Sequence, residues 1–62
     1  MGYRIKDRRE ELRMSQEELS RLSGVSRGTI VKLENDVETN ATTSTLRKLA
    51  KALNTTVENL FF

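Results

Sequence analysis

The 62-residue chain has no cysteine and no histidine. Without cysteine there is no disulfide staple and no thiolate metal site. Without histidine the commonest general base and the commonest metal ligand are both missing. The carboxylates that remain alternate with Arg and Lys, the pattern of a solvated helical surface, so they make neither a nucleophile–base pair nor a metal cluster. The chain therefore reads as a protein that is not an enzyme and that needs no cofactor and no metal. Proline and tryptophan are absent too, and the aromatics amount to one Tyr and two Phe. Purely apolar runs reach two or three residues, far short of the roughly 20 that cross a bilayer. The opening MGYRIKD carries no apolar segment of a secretion signal. A cytoplasmic location and no membrane partner are the expectation.

A chain this short makes one domain, residues 1–62, whose folded state covers only about 60% of the surface that the unfolded chain exposes. The net charge is +2, and the excess lies in residues 1–35, since residues 36–62 carry equal numbers of each sign. That balance points weakly to an anionic partner.

Apolar residues recur at helical spacing in nearly every segment, which predicts an all-α domain of five short helices. The first helix runs from about Tyr3 to Arg13 on Ile5 and Leu12, with Arg9 on the same inner stripe. Ser15-Gln16-Glu17-Glu18 is a capping box that starts the second helix, whose inner face is Leu19 and Leu22. Gly24 ends it where a positive φ is wanted. Ser26 caps a third helix that buries Ile30 and Leu33 and reaches about Glu34. Asn35 to Ala41 has no apolar period and reads as a loop. Thr42 or Thr43 caps the fourth helix, with Leu46, Leu49, Ala50 and Leu53 in one stripe and Asn54 closing it. Thr56 caps a last helix from Val57 to about Phe61.

The stretch Met14 to Asn35, MSQEELSRLSGVSRGTIVKLEN, resembles the helix-turn-helix of phage repressor and Cro proteins, the xenobiotic-response-element-like bacterial regulators. Ser15-Gln16, Leu19, Gly24-Val25-Ser26, Ile30 and Leu33-Glu34-Asn35 stand at that family's spacing, and TLRKLAKALNTTVENLF is similar to its closing helices. The resemblance implies a compact five-helix lambda-repressor-like fold with helices two and three as the DNA-reading unit. It implies double-stranded DNA as partner, a homodimer, and transcriptional regulation, most simply repression at a pseudo-palindromic operator. In that frame Arg27, Gly28, Val31 and Lys32 face the bases. Arg27 offers a planar fork that matches guanine O6 and N7, and Lys32 reaches a base or a phosphate. Gln16, Ser26, Thr29 and Asn35 stand near phosphate, Ser26 serving equally as a plain N-cap. Arg9 and Glu34 match residues that form a partly buried structural ion pair in relatives.

The chain departs from the pattern at Arg13, where relatives often have Gly, and at Arg8, which replaces an apolar residue. Asp36-Val37-Glu38 stand where relatives carry Gly and basic groups. Thr43 and Thr55 replace apolar residues. Leu60, Phe61 and Phe62 form an apolar end expected to lie in the dimer interface. The alternative function is a protein-interaction module, antitoxin-like or regulatory, that engages its partner through this patch.

Overall fold

The computed structural model describes residues 3–35 and 41–60. They form α1 (Ile5–Glu11), α2 (Gln16–Ser23), α3 (Arg27–Asn35), α4 (Thr43–Ala52) and a 3-10 turn (Glu58–Leu60). The fold class is all-α. α2 and α4 start on a capping hydroxyl. Ser15 Oγ accepts from Glu18 N at 3.0 Å, and Thr42 Oγ1 accepts from Thr45 N at 3.2 Å, so each hydroxyl satisfies a backbone donor that its helix leaves unpaired.

Three helices end on a residue with positive φ: α1 before Arg13 (φ 55), α2 before Gly24 (φ 75) and α4 before Asn54 (φ 54). At Arg13 and Asn54 the hydrogen bonds take the double Schellman form. Arg13 N donates to Glu10 O and Met14 N to Arg9 O, while Asn54 N donates to Lys51 O and Thr55 N to Ala50 O. Gly24 N donates to Ser20 O alone.

The core joins Ile5 of α1, Leu19 of α2, Val25 of the turn, Ile30 and Leu33 of α3, Leu49 and Ala50 of α4, Leu53 and Leu60. Tyr3, Met14, Ala41, Ala52 and Val57 pack against its edge. Arg4 N donates to Leu60 O at 2.6 Å, which ties the start of α1 to the 3-10 turn.

Four expectations change. Leu12 is 39% exposed because α1 stops at Glu11, so the leucine falls beyond the helix that would have aimed it inward. Leu22 is 54% exposed. It lies about 60° around the helix from Leu19, and α2 presents only the Leu19 direction to the core. The fifth helix is, among the described residues, the 3-10 turn at Glu58–Leu60. Thr56 Oγ1 accepts from Asn59 N at 3.3 Å at its start. Leu60, expected in a dimer interface, is fully buried in its own chain's core and has no surface left for a second copy. Phe61, Phe62 and the acidic Asp36-Val37-Glu38 lie outside the described residues.

Candidate nucleic-acid interface

Only three residues, Gly24-Val25-Ser26, separate α2 from α3. Gly24 turns the chain in the left-handed region at low cost because it lacks a Cβ. The serines then lock the corner: Ser20 Oγ donates to Val25 O at 2.7 Å and Ser23 Oγ to Leu19 O at 2.7 Å. Ser23 Oγ also accepts from Val25 N at 3.1 Å. Val25 is buried, so the corner is nailed to the core as well as hydrogen-bonded. The sequence SGVSRGT breaks the helical pattern because it must set this corner and restart a helix at once.

α3 divides into two faces. Ile30 and Leu33 are buried, whereas Arg27, Gly28, Lys32 and Asn35 are exposed and Val31 is half-buried. With Val31 between them, these residues stand at i, i+1, i+4, i+5 and i+8, one side of a 3.6-residue helix. Among the described residues, nothing of the core covers Arg27, Gly28, Lys32 or Asn35. Gly28 lies in ordinary helical backbone, and a Cβ built on it would meet nothing within 4 Å. A glycine inside a helix costs about 0.5–1 kcal/mol relative to alanine.

At the start of α3, Ser26 Oγ accepts from Thr29 N at 3.3 Å and shares a 2.8 Å hydrogen bond with Thr29 Oγ1. Whichever hydroxyl donates in that pair, the other keeps its own proton for an acceptor outside. The first backbone N–H groups of α3 have no acceptor within the helix, and an anion is favoured at that pole.

Beneath this surface lies a charged network. Arg9 Nε donates to Glu34 Oε2 at 2.8 Å, and Arg9 Nη2 to Glu34 Oε1 at 3.2 Å. The pair is a bidentate fork with side chains 12% and 1% exposed. Arg9 Nη1 donates to Met14 O at 2.7 Å. The hydrogen bond to Glu34 raises the Arg9 pKa above its ordinary value, against the opposing effect of burial. Glu34 Oε1 also accepts from Gln16 Nε2 at 3.0 Å. Glu34 of α3 therefore holds α1 and the first residue of α2, and Arg9 holds the turn between them. The Gln16 amide has spent one N–H on Glu34, and its second remains for another acceptor.

Gln16 thus stands at the start of α2, Ser26 and Thr29 stand at the start of α3, and Arg27, Gly28, Lys32 and Asn35 are exposed along α3 with Val31 half-buried among them. Two contacts escaped sequence reasoning. The Gln16–Glu34 bond spans 18 positions, beyond any local pattern. Arg8 Nε donates to Leu53 O at 3.0 Å and Arg8 Nη2 to Asn54 O at 3.2 Å. A cation thereby satisfies the two carbonyls just past α4, where the helix dipole favours positive charge. Its polarity at an otherwise apolar position was the available signal.

A family model described as helix-turn-helix matches residues 5–60. The chain belongs to the helix-turn-helix family. That family is one of DNA-binding regulators. No curated protein and no solved structure matches the chain. In this helix-turn-helix protein the match runs from α1 through α2, α3 and α4 to the 3-10 turn. Among the described residues no acidic or other ligating side chains gather to hold a metal ion, and no helix is long and apolar enough to cross a membrane.

Proposed function

We propose that the 62-residue chain acts as a single DNA-binding domain and regulates transcription in the cytoplasm, as a repressor that binds a pseudo-palindromic operator as a homodimer. The observation that carries this reading is the division of α3, buried at Ile30 and Leu33 and exposed along Arg27, Gly28, Lys32 and Asn35. A helix anchored on one side and open on the other can enter a major groove while the preceding helix crosses the phosphate backbone.

In this reading Arg27 takes guanine O6 and N7, Gly28 and Val31 meet base edges, and Lys32 adds a base or phosphate contact. Gln16 gives its second amide N–H to a phosphate, held in place by Glu34. The Ser26–Thr29 pair gives its spare hydroxyl proton to another, and Asn35 approaches the backbone at the far end of α3. Pairing through Phe61 and Phe62 would set two recognition helices about 34–36 Å apart, one turn of B-DNA.

A second reading, a protein-interaction module, draws on Leu22, exposed beside Ser23, Lys48, Lys51 and Ala52 in an open groove between α2 and α4. Anisotropy titrations against a pool of operator-length duplexes separate the two. DNA regulation predicts affinity that falls at least about a hundredfold between about 50 and 200 mM salt, together with a preferred sequence. Arg27→Ala is expected to weaken binding about 5- to 150-fold and to relax the preference at one base pair. An unchanged preference and affinity in that variant would remove Arg27 from the recognition role. Sedimentation across concentration tests the homodimer.

A further inference from the structure

α2 packs on α4, and between them runs an open groove of about 500 Å³ lined by Leu22, Ser23, Lys48, Lys51 and Ala52. Leu22, 54% exposed, is the most exposed large apolar side chain among the described residues. A single leucine on a surface is ordinary, and it is the neighbours of this one that give it meaning. Lys48 and Lys51 stand three apart on α4, so they are neighbours on one helix face, and both are exposed. Among the described residues neither has a carboxylate partner. Glu18, one turn before Leu22 on α2, does not line the groove. Ser23 has already given its hydroxyl proton to Leu19 O. The groove therefore offers an apolar surface, Leu22 with half-buried Ala52, and two ammonium groups whose aliphatic stems extend that surface.

The charge of the groove decides between occupants. A second copy docked groove to groove, the self-complementary contact of a two-fold dimer, would bring four ammonium groups together. A phosphate backbone would suit the lysines but lay charged oxygens over Leu22, where they lose water and gain no partner. A segment that carries an apolar side chain beside two carboxylates satisfies Leu22 and both lysines at once. We propose that the groove docks such an acidic segment of another protein, its apolar side chain against Leu22 and Ala52 and its carboxylates on Lys48 and Lys51. The spacing of the lysines, about 5–6 Å between Cβ atoms, is what a helix supplies with acids at i and i+3 or i+4. The proposal takes up the protein-interaction reading and gives its partner a chemistry. It stands without the DNA reading, since no residue assigned to DNA lines the groove.

The test selects short random peptides displayed on phage against the immobilised full chain and measures the enriched sequences, as labelled synthetic peptides, by anisotropy. The enriched peptides are expected to combine carboxylates with an apolar residue and to bind less tightly as salt rises. Leu22→Ala should weaken them about tenfold, the weight of a leucine contact. Lys48→Glu with Lys51→Glu should weaken them at least about tenfold. A peptide whose acids are exchanged for lysine should reverse the order and bind that double variant more tightly than wild type, a gain that a misfolded variant could not give. Leu22→Ala should keep the wild-type affinity for duplex DNA and the same preferred sequence. The proposal is overturned if no peptide is enriched, if the enriched peptides lack acids, or if the variants bind them as wild type does. It is also overturned if the lysine variants lose duplex binding while the peptides stay bound, which would assign the lysines to phosphate. Self-association of the wild-type chain in sedimentation that Leu22→Ala abolishes would give the groove to a second copy and overturn it as well. A chain that binds the acidic peptides through Leu22 but prefers no duplex sequence sinks the DNA reading alone.

Discussion

The turns before and after α2 adopt the same left-handed backbone by different means. After α2 the residue is Gly24 at φ 75, and before it the residue is Arg13 at φ 55. An L-residue with a Cβ pays about 1–2 kcal/mol for that conformation, and glycine does not. The supports differ accordingly. The Gly24 corner is held locally, by hydroxyls of Ser20 and Ser23 that reach no further than Val25 and Leu19. The Arg13 turn is held from a distance. Arg9 Nη1 grips Met14 O while the rest of its guanidinium is locked onto Glu34, 25 positions away on α3. A strained turn persists when the surrounding structure over-determines it, and here the nearly buried ion pair does so.

The largest effect should come from removing that support. Arg9→Ala leaves Glu34, 1% exposed, without its cation, and it frees Met14 O. Breaking a buried pair from one side costs about 3–5 kcal/mol, a large share of what so small a domain has. Thermal denaturation followed by circular dichroism should show the transition lowered by more than about 12 °C or lost. A loss below about 1 kcal/mol would mean that the Arg13 turn is held by something other than this pair. The next effect is Gly24→Ala. A Cβ at Gly24 meets nothing within 4 Å, so the variant suffers backbone strain alone, about 1–2 kcal/mol. Urea titration measures it, and a greater loss would mean that the hydroxyls of Ser20 and Ser23 depend on the glycine to reach their acceptors.

The same contrast explains what the sequence discloses. Local chemistry was legible: Ser15, Thr42 and Thr56 accept from the N–H three residues on, Gly24 takes the left-handed position, and the stripe of α4 is buried at Leu46, Leu49 and Ala50. Each needs only neighbours within one helical turn. The inward direction of Leu12 and Leu22 was not legible, because it depends on where α1 stops and on which side of α2 the rest of the molecule lies. Arg8 stood out only as a polar residue in an apolar place, since its acceptors are carbonyls 45 and 46 positions away. For the candidate site, the turn and the exposed side of α3 follow from spacing. The link from Arg9 through Glu34 to Gln16 joins three helices, and its Arg9–Glu34 half was suggested only by resemblance.

The smallest effect tests whether Arg13 is strained at all. Arg13→Gly removes the Cβ conflict, worth about 1–2 kcal/mol, but it also loosens the unfolded chain by about 0.5–1 kcal/mol. A net gain of about 0.5 kcal/mol is expected, or roughly 2–4 °C in a melt. Arg13→Ala is the control, because alanine keeps the Cβ and so should gain nothing. The side chain of Arg13 is exposed, so truncating it disturbs no packing. If both variants gained equally, crowding of positive charge along α1 rather than backbone strain would explain the result. If glycine gained nothing, the Schellman hydrogen bonds from Arg13 N and Met14 N would already have relaxed the turn, and the comparison with Gly24 would lose its energetic side.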